Sequence, residues 1–324
     1  MIELIATIGC APDKYIDTID SLLFAGISSF RFNTAKMLDP LDVENQLNTL
    51  IHIRQKYGSK IKLMLDIPYP FRKIRVLSDQ IIKLQSESIS YFICKGSVKP
   101  NDYNYIEIED IDLIQHVNVG DTIVYGDGRH AFTVIRIDSA DCIQVKVINE
   151  TTIYKGKSIH IKNCLLPGIL EKTYLSKIHL ISPDSVALSF VSSSVEIKEA
   201  CKLLNGIKLY SKIETLEGVN NIGDISKVSS IMLARGDLLL NADYTQFYAY
   251  QLSVAQAAKE NGKELVVATG ILSSMSSSLF PTQSELIDLA ELRRLEPDAL
   301  VLNYGLVSGN LYEAIKIIRS FFYP

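Results

Sequence analysis

Short apolar runs alternate along most of the chain with longer stretches in which apolar residues recur every three to four positions. This is the pattern of βα units feeding a parallel sheet. The first run is Glu3–Thr7, and the helical segment Asp13–Ala25 follows it, closed by Gly26. Next come a strand predicted over Ile27–Asn33, a helix over Leu41–Tyr57 stopped by Gly58, and a strand over Ile61–Ile67. The alternation then lapses. From about Phe71 to Leu166 only short β-rich pieces appear: RKIRVL, SYFICK, DTIVYGDGRHAFTVIRI, CIQVKVI and SIHIK. Turn signals at Gly120-Asp121 and Gly126-Asp127-Gly128 separate some of them. Alternation resumes with strands predicted over Ser185–Val191, Lys208–Glu214, Ser229–Arg235, Glu264–Gly270 and Ala299–Tyr304. The helices between them are predicted over Ser194–Leu204, Leu216–Val228, Tyr244–Asn261, Pro281–Leu295 (with Pro281 at the first helical position) and Leu311–Phe322. Eight strands with about as many helices is the count of a (β/α)8 barrel. A doubly wound sheet would carry a glycine-rich phosphate loop after its first strand, and none is present. The expected architecture is therefore α/β: a (β/α)8 TIM barrel over residues 1–70 and 167–324, with a small β-barrel domain, residues 71–166, inserted after strand three as a lid.

Composition narrows the function classes. Net charge is −4 with no basic run, which argues against nucleic acid as a partner. No apolar run reaches membrane length, and MIELIATIG has neither a basic flank nor a small-residue cleavage site, so it reads as a strand. The five cysteines have no paired spacing, which predicts reduced thiols and a cytoplasmic protein. The five histidines show no metal-ligand spacing. Tyr244, Phe247, Tyr248 and Tyr250 cluster on one predicted helix, where packing in the barrel or at a subunit contact is the expected role. The Ser192-Ser193-Ser194 run reads as a helix N-cap region.

The chemistry is concentrated in Lys208–Gly236, KLYSKIETLEGVNNIGDISKVSSIMLARG, closed by Asp237. Lys212 and Glu214 are two apart on a predicted strand, so they face the same side. Asp237 follows the next strand. A lysine and two carboxylates at the C-terminal ends of successive barrel strands lie where such barrels hold active sites. Oxygen ligands from two strands suit Mg²⁺, which takes one or two carboxylates plus water and substrate oxygens. The alternative is a pair of ordinary strand-end ion pairs.

These motifs resemble the pyruvate kinase core. SKIETLEGVNN and MLARGDL are similar to the family's SKIEN-x-EG and MVARGDLG. ATIGCAP, FRFNTAK, LMLDIPYPFRKIR, VNVGDTIVYGDGRHAF, LPGILEK, VALSFV, VATGILSSM and PTQSELIDLA resemble further family segments in the same order. The resemblance stops with the barrel, so the family's C-terminal domain, which carries the effector site in many members, is expected to be missing. It implies a Mg²⁺-dependent (or Mn²⁺-dependent) phosphotransferase acting on phosphoenolpyruvate or pyruvate and on ADP or ATP. Catalytic roles are implied for Lys212, Arg31 and Thr269, and metal ligation for Glu214 and Asp237. Substrate contacts are implied for the Ala234-Arg235-Gly236 backbone, with Asn33 and Asp66 beside them. Nucleotide contacts are implied for Arg75, Asp127 and a lysine of the inserted domain, Lys157, with Lys155 and Lys162 as its alternatives.

The departures fall on the nucleotide and potassium side. The family's monovalent-cation site maps onto Asn33, Ala35, Asp66 and Ile67, where two oxygen ligands are lost. With a two-residue insertion placed at Phe71-Arg72, Lys73 stands where the family has Glu. Members that work without K⁺ often carry lysine there, so Lys73 is the expected surrogate and K⁺ is not expected to be required. The lysine of TKGP is replaced by Pro68, the histidine of NFSH by Lys36, and the first Asp of DDG by Gly126. Two other readings stay open: a lyase or condensing enzyme using a Mg²⁺-stabilised enolate without nucleotide, and a non-catalytic metabolite-binding homologue. Oligomeric state is left open, a homo-oligomer included.

Overall fold

The computed structural model describes residues 2–34, 40–98, 104–109, 112–126, 128–162, 164, 166–168 and 172–323, with backbone alone at 40–43, 112, 172 and 173. It divides into two compact units, one of residues 1–35, 44–70 and 169–324, the other of residues 36–43 and 71–168.

The first unit is a closed barrel of eight parallel strands: β1 Glu3–Ile8, β2 Ser29–Asn33, β3 Lys62–Arg72, β4 Ser185–Ser189, β5 Lys208–Ile213, β6 Ser230–Ala234, β7 Leu265–Ala268 and β8 Ala299–Leu302. Each pairs in parallel with the next, and β8 pairs back to β1 from Glu3↔Ala299 to Ala6↔Leu302, leaving no barrel edge. The strands read as continuous apolar runs because both faces are covered, one by helices and one by the barrel interior. Ile5, Met64, Ala187, Tyr210, Met232, Val266, Ala268, Ala299 and Val301 pack together as the interior. Side chains alternate with a period of two, so the inward residues one step further along are Thr7, Asp66, Ser189, Lys212 and Ala234. The apolar filling thus gives way to charge at the C-terminal ends of the strands.

Several elements differ from expectation. Strand β3 runs on to Arg72, five residues past the predicted end. The helix predicted over Leu216–Val228 is two, Leu216–Asn220 and Ile222–Val228. The break is at Asn221, whose side-chain amide donates to the Ser192 carbonyl (2.9 Å) and draws it from helical geometry. Strand β6 ends at Ala234, and Arg235 opens a short helix, Arg235–Asn241, so Asp237 sits in a helical first turn rather than at a strand end. Pro281 is not at the first helical position. Thr282 caps the helix Gln283–Arg294, with the Glu285 carboxylate returning to the Thr282 N–H (2.9 Å), and Pro281 precedes the cap. Tyr244 and Tyr248 are 76% and 48% exposed, so neither packs in the barrel. At the Ser192–Ser194 run the reading holds: Glu196 accepts the N–H groups of Ser192 (2.8 Å) and Ser193 (3.1 Å) at the start of Ser194–Leu204. All five cysteines are free thiols.

The second unit is β-rich. Its seven-stranded sheet runs Ile74–Arg75, Ser158–Ile161, Thr122–Tyr125, His130–Ser139, Cys142–Val147, Ile89–Cys94, Tyr105–Ile108. A bridge between Val76 and Ile108 joins the two ends, and the Leu77 N–H to Glu107 carbonyl bond (2.7 Å) reinforces it, which closes the sheet into a small barrel. Phe92, Phe132, Ile143, Val145 and Ile159 lie in its core.

Two glycines give opposite expectations. A Cβ on Gly218 would lie 2.8 Å from the Val191 carbonyl oxygen, while a Cβ on Gly223 meets nothing within 4 Å. Gly218→Ala is expected to cost about 1–3 kcal/mol. Gly223→Ala, in an exposed helical turn, is expected to gain about 0.5–1 kcal/mol. Urea unfolding of the two variants checks this; equal effects would contradict the packing described.

Candidate active site

Asp66, at the inward face of β3, is fully buried and receives two cations. Its Oδ2 accepts from Arg31 Nη2 (2.5 Å) and Nε (3.0 Å), and its Oδ1 from Lys212 Nζ (3.1 Å). Arg31 comes from β2 and also donates to the Thr7 hydroxyl of β1 (3.1 Å). Lys212, from β5, donates to the Ser189 hydroxyl of β4 (3.2 Å) and lies 3.2 Å from Glu214 Oε1. Glu214 Oε2 accepts the Phe190 N–H (2.7 Å). Five consecutive strands thus deliver one connected polar group. Thr34 supports it from behind, its hydroxyl donating to the Asp66 carbonyl (2.8 Å) and sharing a hydrogen bond with the Tyr174 hydroxyl.

A second group continues around the mouth. Asn241 donates to the Asp237 carbonyl (2.9 Å) and the Glu214 carbonyl (3.3 Å), tying the helix after β6 to the end of β5. Thr269, just past β7, has φ +77°, and a Cβ on Gly236 would fall 2.8 Å from its Cγ2. Glycine at 236 is therefore what allows Thr269 to close over that turn. Phe190, just past β4, also has positive φ, +54°. Left-handed backbone at non-glycine residues is held only by its surroundings, and both residues touch this site.

Burial alone would raise the Asp66 pKa, but Lys212 and Arg31 outweigh it and hold the carboxyl below its usual range. Burial would lower that of Lys212, but Asp66 and Glu214 outweigh it and raise it. Glu214 is raised: burial dominates, Lys212 opposes it, and the charges of Asp237 and Asp66 add to it. Burial disfavours the charge on Glu214, and a divalent cation beside Glu214 and Asp237 would favour it. Among the described residues no group of three or more His, Cys, Asp or Glu could hold a metal. An ion here would rest on two carboxylates plus water or substrate oxygens, the habit of Mg²⁺. The donor set fits that ion. At the opposite end of this barrel a cavity of about 410 Å³ is also lined by charge, but there Glu3 pairs with Lys62 and Glu264 with Lys208.

Of the residues singled out from sequence, Arg31, Asp66, Lys212 and Glu214 come together directly. Asn33 lies beside Asp66 in register. Ala234, Arg235, Gly236, Asp237 and Thr269 line the adjoining strand ends. Arg235 turns its side chain away to Asp288 (2.6 Å), leaving its backbone at the helix start. Arg75, Lys157 and Lys73 belong to the second unit. Arg75 is buried, Lys157 is exposed, and the Val76 N–H donates to the Lys157 carbonyl (3.0 Å), which makes the two chain neighbours across one pair of strands. Asp127 lies outside the described residues, as do Ala35 and Lys36. The sequence reading missed Ser189 and Thr7. Both stand two positions beyond an inward apolar residue, Ala187 and Ile5, so strand period alone could have found them.

Asp66→Asn would leave Arg31 and buried Lys212 without their shared anion. The expected loss is about 3 kcal/mol or more at neutral pH. Asp66 has a lowered folded pKa, so its contribution is complete above the unfolded value of about 3.9 and is lost as pH falls through the folded value. Lys212 has a raised one, so its contribution is complete below about 10.4 and is lost as pH rises through the folded value. Denaturant unfolding of wild type and variant should differ by this amount at neutral pH, with a pH dependence where Glu214 titrates, at about 7, and converge in acid. A difference below about 1 kcal/mol at neutral pH would contradict the anchoring role.

Comparison with known proteins places this geometry. The family model described as pyruvate kinase, barrel domain, matches residues 1–309. The pyruvate kinase of Thermotoga maritima is 26% identical, the match covering 98% of this chain and 69% of that protein. That of Bacillus licheniformis is 29% identical, covering 98% and 56%, so the chain spans little more than half of this relative. The crystal structure of Cryptosporidium parvum pyruvate kinase superposes with a TM-score of 0.83 at 26% identity, over 99% of this chain and 70% of that one. The Pyrobaculum aerophilum pyruvate kinase structure, at 24% identity and a TM-score of 0.72, shares the fold. With its barrel matched almost from end to end and its strand ends carrying the buried Arg31–Asp66–Lys212 group, the chain belongs to the pyruvate kinase family.

Proposed function

We propose that this chain transfers a phosphoryl group between an enolpyruvate and a nucleoside diphosphate, with Mg²⁺ (or Mn²⁺) at Glu214 and Asp237. The observation that carries the reading is the buried Asp66 carboxylate, which holds Arg31 and Lys212 side by side next to Glu214. Phosphoryl transfer asks mainly for positioning and for cations where negative charge develops. The Arg31 fork pairs with phosphoryl oxygens. Lys212 faces the enolate oxygen and the transferred group. The first-turn N–H groups after Ala234, unpaired within their helix, receive the substrate carboxylate. Thr269 serves the proton step at the enolate carbon. When bound, the divalent ion supplies charge neutralisation and a fixed point for substrate oxygens.

On the nucleotide side, Arg75 and Lys157, with Asp127, contact the phosphates. Lys73 supplies the fixed positive charge that K⁺ gives other members, and the protein works in the cytoplasm on small-molecule substrates. A nucleotide-free lyase or condensing enzyme is the second reading, favoured by Pro68, Lys36 and Gly126 at nucleotide-side positions. Binding of oxalate with Mg²⁺ but of neither ADP nor ATP would select it.

Pyruvate formation from phosphoenolpyruvate and a panel of nucleoside diphosphates tests the first reading. Lys212→Met is expected to lower kcat by about a hundredfold or more. No turnover with any nucleotide, by folded Mg²⁺-loaded protein, would remove the phosphotransfer reading. Rates are expected to be alike in sodium, potassium and tetramethylammonium buffers, and Lys73→Glu to lower them sharply; strong activation by K⁺ would overturn the role given to Lys73.

A further inference from the structure

We propose that Asp288, a residue outside the reacting group, is a positioning residue that acts through Arg235 to hold Thr269 over the active-site turn. It rests on the reading above for what Thr269 does, and on geometry for how Thr269 is held. Arg235 is 8% exposed, and its guanidinium bridges two elements. Nη1 and Nη2 pair with Asp288 Oδ1 (2.6 Å) and Oδ2 (2.8 Å) on the helix Gln283–Arg294. Nε and Nη2 both donate to the Thr269 carbonyl, at 3.0 and 2.8 Å. The planar fork satisfies a carboxylate on one edge and a backbone oxygen on the other, which a lysine could not do.

The peptide so held is an unusual one. Thr269 is β-branched at φ +77°, and Gly270 follows at φ +84°. A threonine in that region persists only where its neighbours hold it. Two contacts leave it little alternative. Arg235 Nη2 lies 3.1 Å from where a Gly270 Cβ would stand, and the Thr269 methyl occupies the space a Gly236 side chain would need. Thr269 is thus set between the guanidinium and Gly236, one residue from Asp237. If Asp288 loses its charge, Arg235 keeps one neutral acceptor in place of a bidentate partner, and the Thr269 carbonyl loses the pull that fixes it.

The step most exposed to this is proton transfer at the enolate carbon. Starting from pyruvate, a methyl C–H bond breaks and its electron pair enters the enolate, leaving negative charge on oxygen. The proton passes by way of the Thr269 hydroxyl to solvent, and in D₂O the return step forms a C–D bond. Phosphoryl binding lies with Arg31 and Lys212 and the substrate carboxylate with backbone N–H groups at the helix start, whereas the clamp acts through the Arg235 side chain, which turns to Asp288.

The test uses the full chain with Mg²⁺ and compares wild type, Asp288→Asn and Asp288→Glu. It reads deuterium entry into the pyruvate methyl group by NMR, oxalate binding by titration, and backbone hydrogen exchange over residues 269–272. Asp288→Asn should slow methyl exchange by about ten- to hundredfold. Oxalate affinity and the KM for phosphoenolpyruvate should change by less than about threefold, because ground-state binding is untouched. Backbone exchange at 269–272 should quicken, and Asp288→Glu, which keeps the charge, should recover most of the lost rate. Unchanged methyl exchange in Asp288→Asn overturns the proposal, and so does a parallel fall in exchange, oxalate binding and thermal midpoint. If the wild type neither exchanges pyruvate nor binds oxalate, the functional reading fails. Backbone exchange at 269–272 then decides the clamp alone: quickened by Asp288→Asn it stands, unchanged it falls.

Discussion

A single buried carboxylate, Asp66, is the constraint on which the mouth of this barrel depends. Two cations from different strands, Arg31 and Lys212, converge there and would repel each other without it. Taking three charges out of water is expensive, and their mutual attraction offsets that only when the geometry is good and the remaining valences are filled. Here Thr7 and Ser189 take remaining donors of Arg31 and Lys212, and Thr34 fixes the Asp66 backbone. The barrel makes this possible because its register brings inward side chains of β1 through β5 together at the C-terminal mouth.

The burial of charge separates the two ends of the barrel. At the N-terminal end Glu3 pairs with Lys62 and Glu264 with Lys208 in partly exposed bridges, with Asp184 and Asp298 beside them. At the C-terminal end Asp66, Lys212 and Glu214 are buried, and burial disfavours the Glu214 charge. Buried ionisable groups with shifted pKa values cluster at functional sites. At this end Phe190 and Thr269 both have positive φ and both contact site residues.

How much of this could be read from the chain varies by element. The apolar period made the barrel and its eight strands legible, because a parallel strand covered on both faces has no polar alternation to hide it. Lys212, Glu214, Arg31 and Asp237 were legible from motif and spacing. Ser189 and Thr7 were reachable only through the strand period, since serine and threonine at a strand end look like capping residues until the inward Ala187 and Ile5 two positions earlier show which way they face. Asn221 and Arg235 ended their elements early because each side chain found a partner distant in sequence, Ser192 in one case and Asp288 in the other. Local propensity carries no trace of such partners.

The sequence by itself determined the alternation, the interruption of it after the third strand, and the chemical kinds of residue at the strand ends. Those depend on side-chain periodicity and type, which are local. Only the tertiary structure decided which charges share a partner: that Arg31 and Lys212 meet on Asp66, that Arg235 turns to Asp288 and the Thr269 carbonyl, and that the small β unit closes through Val76 and Ile108. Each of these joins residues far apart in the chain. Their pairing is set by strand register and barrel closure, quantities that no single stretch of sequence contains.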